Sequence, residues 1–566
     1  MRGNFDSSKK AIIKTFDAFS RKADYSFLEF LNSDPQADPK GEDHIQREVF
    51  SGHYVPVTPK KLSSFKYLSH SKAFFKELGL SDDLVNDKKF ARLFSGDISV
   101  ANNFMRPYGW ATSYALSICG TEYISQCPFR TGNGYGDGRA ISVFEGIFED
   151  KRWEMQLKGS GPTPFCRGAD GRAVLRSSIR EFLVQDFMHA LGVKTSRSLT
   201  IYYSRNEVVL RPWYKEYSCS IDPEILTENL VAITTRVAPS FLRVGQIELF
   251  ARRVRNNSHE KALNELHMIV KHLISRNYDS EIDNSIDFSD QVLKLALLYK
   301  DRLSSLIASW IQVGFCQGNF NSDNCAAGGF TLDYGPFGFC ELFDPKYQSW
   351  TGGGEHYSFL NQPVAAKHNF QMFCQSLKFL VSDDRYLYLL DEIINDFPKT
   401  MNDKMNNMWK NKLGINKYDK NLVNNLLRLM YRSKADFTIF FRKLSDIPNE
   451  FSHLKESFYA PSSSTLNSEW EKWFKQWFSS LKVSTNIESL SSEMKRINPR
   501  YTWREWLIVP IYKAAEKGDY SLLEEIQDVF QKPYEDQSKP IQNKYDRLRP
   551  VEYFNRGGIS HYSCSS

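Results

Sequence analysis

The chain has 566 residues, of which 41% are hydrophobic and 14% aromatic. That is ample for a large core, and the length alone points to two to four domains or lobes. Its 73 basic and 67 acidic residues leave a net charge of +6, which over this length gives no argument for nucleic acid or an anionic membrane as partner.

No stretch approaches the ~18 consecutive apolar residues that span a bilayer. The N-terminus, MRGNFDSSKKAIIKTFDAFSRK, lacks the apolar core of a secretory signal. It is mildly basic, but Asp6 and Asp17 weaken it as a transit peptide. The nine cysteines form no CxxC pair, so zinc has little support. A scattered, odd set fits a reduced intracellular protein.

Residues 1–105 mix charged helical patches with loops and are read as an extension packing on the following lobe. Residues 106–235 alternate glycine-rich turns with short apolar strands, such as AISVFEGIF and SLTIYYS. From 236 to 531 the apolar spacing turns helical, as in EKALNELHMIVKHLIS. Residues 532–566 form a polar tail containing Cys564. A β-rich part followed by a helical part is a two-lobed α+β layout.

GNGYGDGR (132–139) brings Gly136, Gly138 and Arg139 into one loop. Glycine lets backbone N–H groups approach phosphate, although such loops are often plain hairpin turns. In RWEMQLKG, Trp153, Met155 and Leu157 alternate with Glu154, Gln156 and Lys158. The alternation predicts a half-buried strand ending on Lys158. GRAVLRSSIREFLVQDFMHALG (171–192) carries an apolar helical stripe, Glu181 near its middle and Gly192 at its end. A second turn with Asp170 and Gly171 precedes it, and Asp170 is read as the helix N-cap if it does not meet a nucleotide. Arg236 and Arg243 lie seven residues apart, about 10 Å on a helix, though Pro239 argues against an unbroken one. They suit a phosphate clamp or, more plainly, a solvated helix face.

NSDNCAAGGFTLDYGPFG (321–338) places Asp323 beside Asn324, with Asp333 opening a Tyr-Gly-Pro turn. A strand-end lysine, a helix-borne glutamate and an Asn–Asp pair before a glycine turn are the parts protein kinases use for ATP and Mg²⁺. The kinase base, five residues before the Asn, is here Asn319.

Taken together, LKGSGPTPFCRGADGRAVLRSSIREFL, TRVAPSFLRVG, GNFNSDN, TLDYGPFG and the terminal CSS resemble the selenoprotein O family over nearly the whole chain. One departure is SQCPFRTGNGYGDGR, where only GDGR of the family's glycine-rich segment remains. The resemblance implies a two-lobed protein-kinase-like fold, also called a pseudokinase, that binds ATP in a flipped orientation. It implies transfer of AMP, not phosphate, to Ser, Thr or Tyr hydroxyls of proteins. By the same resemblance Lys158 pairs with Glu181 and contacts phosphate. Gly136, Gly138, Arg139, Asp170, Gly171, Arg236 and Arg243 line the nucleotide. Asn324 and Asp333 hold Mg²⁺, with Mn²⁺ as an alternative, and Asp323 is the general base. It further implies a mitochondrial location in eukaryotes, the cytoplasm being the alternative. A monomer with no nucleic-acid or membrane partner is expected. Cys564 stands where some members carry selenocysteine, which suggests a redox disulfide with Cys340. The competing readings are an atypical kinase for a protein or small metabolite, and a non-catalytic ATP-binding scaffold.

Overall fold

The computed structural model describes residues 12–113, 138–166, 169–460, 463–482 and 486–561. The architecture is the expected α+β one, a sheet-centred lobe followed by a helical lobe. The sheet contains β1 (Tyr54–Val57), β2 (Phe65–His70), β3 (Gly109–Thr112), β4 (Ala140–Phe148), β5 (Lys151–Lys158), β6 (Ala173–Val174), β7 (Arg197–Trp213) and β8 (Ile225–Ala238). Its order is β1-β3-β4-β5-β8-β7-β2, with β6 pairing β8, and every pairing is antiparallel. Both edge strands therefore come from the first hundred residues.

Those residues also cover one sheet face. Phe16, Phe19, Phe74, Phe90 and Phe94 pack with Phe144, Met155 and Leu157 in one core. Helix α1 (Leu175–Ala190) covers the opposite face, and its Ile179, Phe182 and Phe187 join the core of the helical lobe. This enclosure corrects the expectation of a half-buried β5, which is buried on both faces from Trp153 to Lys158. Its polar phase is satisfied internally. Ser142 Oγ donates to Glu154 Oε1 at 2.5 Å, and Gln156 Nε2 donates to Ser142 Oγ at 3.1 Å.

Helix α1 stops where the sequence places Gly192, which takes a left-handed φ of 78°. The amide of Val193 closes the end on Met188 O at 3.0 Å. Its start differs from expectation. Asp170 is not the N-cap, because Ala173 and Val174 first pair with β8 as β6, and the cap position falls on Val174. No side-chain cap hydrogen bond is present at that start.

Asp186 lies on α1, five residues beyond Glu181. Burial pushes its carboxyl up to about 6, against the opposing pull of Ser71 and Arg197. The folded state therefore binds this proton more tightly than the unfolded chain. The associated stability is complete below about pH 4 and is lost as pH rises through about 6. Asp186→Asn is expected to stabilise the protein at about pH 8, by up to roughly 3 kcal/mol, and much less at about pH 4.5. Melting curves at the two pH values check this, and equal shifts would contradict it.

The helical lobe opens with α2 (Val244–Arg255), α3 (Ala262–Asn277) and α4 (Phe288–Val313). Helix α4 ends on Gly314, again left-handed at 82°. A short antiparallel hairpin follows, β9 (Phe315–Gln317) with β10 (Phe337–Phe339). The loop between them carries Asp323, Asn324 and Asp333. Further on, the tryptophan-rich helix Ser464–Ser479 buries Trp470, Trp473 and Trp477. The tail reaches both lobes. Arg549 Nε donates to Glu341 Oε2 at 2.8 Å, while Arg556 stacks over the Tyr217 ring at 4.6 Å. Among the described residues, no helix is long and apolar enough to cross a membrane.

Candidate active site

Four buried charges meet where the lobes join. Strand β5 delivers Lys158, α1 delivers Glu181, β8 delivers Arg236, and the β9–β10 loop delivers Asp333. Lys158 Nζ lies 2.8 Å from Glu181 Oε2 and 3.1 Å from Asp333 Oδ1. Arg236 Nη1 lies 2.5 Å from the same Asp333 oxygen and 3.4 Å from Glu181 Oε1. Two cations face two carboxylates, so the group is neutral overall. Burying four charges is tolerable only when each is paired in this way. Burial raises the Glu181 pKa, while Lys158 and Arg236 pull it down.

Arg236 is not on a helix with Arg243. It lies in β8, directly across from Gln156 in register, and its Nε donates to Gln156 Oε1 at 2.8 Å. The run VAITTRVA is rich in β-branched residues, which favours the strand over the helix. Arg243 sits at the N-cap of α2. Both arginines are buried, which overturns the solvated-face reading.

Arg243 is also where α2 meets the catalytic-loop candidate. Val244 N donates to Cys325 O at 2.9 Å, and Ala327 N donates to Leu242 O at 2.9 Å. This short pairing holds Asp323 and Asn324 beside the start of α2. The turn itself is shaped by Asn321. Its Oδ1 accepts from the amides of Asp323, at 2.9 Å, and Asn324, at 3.1 Å. Its Nδ2 donates to Asn319 Oδ1 at 3.0 Å. Asn324 Nδ2 donates to Asn319 O at 2.8 Å. So the residue standing at the kinase base position braces the turn. With its nitrogen committed, Asn324 keeps its amide oxygen as a possible acceptor or metal ligand.

Behind Asp333, Gln317 Nε2 donates to its carbonyl at 2.8 Å, and Gly335 N donates to its Oδ2 at 3.1 Å. Gln156, Gln317, Asn319 and Asn321 were not among the site residues picked from sequence. Gln156 and Asn321 each stand two positions before a picked residue, Lys158 and Asp323, and Asn319 stands at the kinase base position; Gln317 carries no such local signal.

The glycine-rich turns lie side by side, since Arg139 Nη1 donates to Arg172 O at 3.2 Å. A Cβ on Gly138 would stand 2.2 Å from Phe165 O, and Gly171 has φ +69° and a Cβ there would stand 2.1 Å from Gly161 O. Close packing on other backbone thus explains both glycines. Gly136 lies outside the described residues. Asp170 pairs with Arg211 at 2.7 Å. Although burial works the other way, that pairing and the Arg172 amide hold its carboxyl below the usual range.

A family model described as "Protein adenylyltransferase SelO" matches residues 43–531. The chain belongs to this SelO family. Three relatives, each named "Protein nucleotidyltransferase YdiU", align over most of both chains. The protein from Aromatoleum aromaticum is 32% identical over 562 residues, 96% of this chain and 99% of its own. That from Flavobacterium johnsoniae is 32% identical over 539 residues, 92% and 95% respectively. That from Rhodopirellula baltica is 30% identical over 575 residues, 96% and 99%.

Of the redox pair expected in this SelO member, Cys564 lies outside the described residues. Cys340 is buried, its Sγ donates to Leu342 O at 3.4 Å, and burial pushes its thiol well above the usual range. The last described stretch of tail docks elsewhere. Gly557 N donates to Ser218 O at 3.0 Å, and the His561 ring meets Ser220 O at 2.6 Å. Between those two serines is Cys219, which is exposed.

Proposed function

We propose that the chain transfers AMP from ATP to a hydroxyl of a protein Ser, Thr or Tyr, with Asp323 as general base. The observation that carries this is that one loop contributes to two groups of buried residues. The Lys158–Glu181–Arg236–Asp333 quartet and the Asn321-braced turn share the β9–β10 loop. A kinase places its base at the position of Asn319, and here that residue is spent on bracing Asn321 and Asn324. The carboxylate beside Asn324, which the family resemblance gives the base role, is Asp323.

Lys158, Arg236 and Arg243 orient the phosphates, and Arg139 and the Asp170–Gly171 turn border the nucleotide. Asp323 accepts the proton of the incoming hydroxyl. The hydroxyl oxygen bonds the α-phosphorus, and the bond from that phosphorus to the oxygen bridging toward the β-phosphate breaks. Pyrophosphate then leaves with those electrons. Gly136 belongs to the same loop as Arg139 by sequence.

Among the described residues, no three His, Cys, Asp or Glu side chains gather as a metal cluster. Mg²⁺ does not require one. It is commonly held by one or two protein oxygens plus substrate phosphates and water. The carboxylate of Asp333 and the amide oxygen of Asn324 are donors of that hard type. Charge points the same way: Lys158, Arg236 and Arg243 are matched by Glu181, Asp323 and Asp333, leaving no surplus for a polyanionic triphosphate. Bound Mg²⁺ supplies that surplus and polarises the phosphate oxygens; Mn²⁺ has the same ligand preference. Chelation by EDTA is expected to stop AMP incorporation into an acceptor protein, and excess Mg²⁺ to restore it. Undiminished incorporation in EDTA would contradict the metal assignment.

Of the described cysteines, Cys219 is exposed, whereas Cys340 is buried and has to be uncovered before it can join a disulfide. The curated relatives named above are bacterial, and they lend no support to a mitochondrial location.

A further inference from the structure

Asp323 rests against the first turn of α2, and the packing there singles out a residue with no functional side chain. An ideal Cβ on Gly245 would lie 2.2 Å from Asp323 Oδ1, 3.1 Å from its Cγ and 3.2 Å from Ser322 Oγ. The first of these is far inside van der Waals contact. Gly245 is buried and is the second residue of α2, without the left-handed φ that calls for glycine. In such a helical position alanine is the better helix former. The glycine therefore answers to its neighbour, not to its own backbone.

We propose that Gly245 is a positioning residue for AMP transfer: its missing Cβ is what seats the Asp323 carboxylate against the start of α2. This rests on the reading of Asp323 as the base. Two contacts bear on where Asp323 sits. Asn321 Oδ1 holds the Asp323 amide at 2.9 Å on the side of its own turn. Gly245 leaves room for the carboxylate on the helix side. A methyl group at 245 has to displace Oδ1, and a misplacement of about 1 Å at a reacting group costs on the order of 100-fold in rate.

The test is a cycle of Gly245→Ala, Asp323→Ala and the double variant, read by AMP-transfer kinetics and thermal melting. Gly245→Ala is expected to lower kcat about 100-fold while KM for ATP stays within about twofold, since the clash is with the base and not with the nucleotide. Its melting temperature should equal or fall below that of the parent. In the Asp323→Ala background the clash is gone, so the same alanine should raise the melting temperature. A Gly245→Ala protein that fails to fold alone but folds in the Asp323→Ala background supports the proposal as well. Gly245→Ala with kcat within about twofold of the parent overturns it. So does an alanine that costs the same melting temperature in both backgrounds, or that prevents folding in both. The underlying reading fails separately: it falls if Asp323→Ala alone retains transfer, whatever the melting cycle shows.

Discussion

Asp333→Ala is expected to lower AMP transfer by more than about 1000-fold and to destabilise the protein by about 3–5 kcal/mol. Both effects come from one carboxylate. Its Oδ1 is shared by Lys158 at 3.1 Å and Arg236 at 2.5 Å. Removing it leaves two buried cations with only Glu181 between them. Loss of one partner of a buried ion pair is costly because the remaining charge is stranded away from water. On the proposed roles, the activity loss has a separate origin, a missing hard oxygen for Mg²⁺ and a misdirected lysine. The two can be separated. Asp333→Ala combined with Lys158→Met restores a balance of one cation, Arg236, against one carboxylate, Glu181. The double variant should melt above Asp333→Ala alone and remain inactive. Simple addition of the two stability losses would show that the four charges do not act as one unit. Near-normal transfer by Asp333→Ala would remove Asp333 from the catalytic set.

Asp323→Asn is expected to slow transfer by about 100- to 10,000-fold with ATP affinity unchanged. A base acts on the acceptor hydroxyl, and the carboxamide preserves size and most of the packing against Gly245. Titration of ATP binding beside single-turnover transfer separates the two quantities. Parallel loss of binding and transfer would move Asp323 from the base to the nucleotide or metal contacts.

Much of this site is legible in the sequence, because several of its parts are local patterns. Lys158 stands out as the polar-phase end of an alternating strand, and Glu181 as the charged residue in an apolar helix. Asp323, Asn324 and Asp333 fall within one short loop. Arg236 shows where local patterns mislead. Its spacing from Arg243 suits a helix, yet the β-branched residues around it build β8 and set it opposite Gln156. The depth of β5 was illegible for a different reason. Alternation reports which residues share a face, whereas burial of the polar face depends on residues 12–105 and α1 packing from either side. Gly245 and Asn321 are harder still. Nothing near position 245 signals that a residue far along the chain presses on it. That contact exists only because residues 242–244 pair with 325–327. Asn321 reads as one more polar loop residue until its side-chain Oδ1 is seen to hold two amides.

The central claim is that the α-phosphorus, and not the γ-phosphorus, is the atom attacked. It is tested most directly by incubating the protein and an acceptor protein with ATP labelled at either the α- or the γ-phosphate and measuring which label becomes acid-stable on protein. Membership of the adenylyltransferase family predicts label from α-labelled ATP only, and the proposed roles predict its loss in Asp323→Asn and in EDTA. Label appearing from γ-labelled ATP and not from α-labelled ATP would make the protein a kinase and contradict the account.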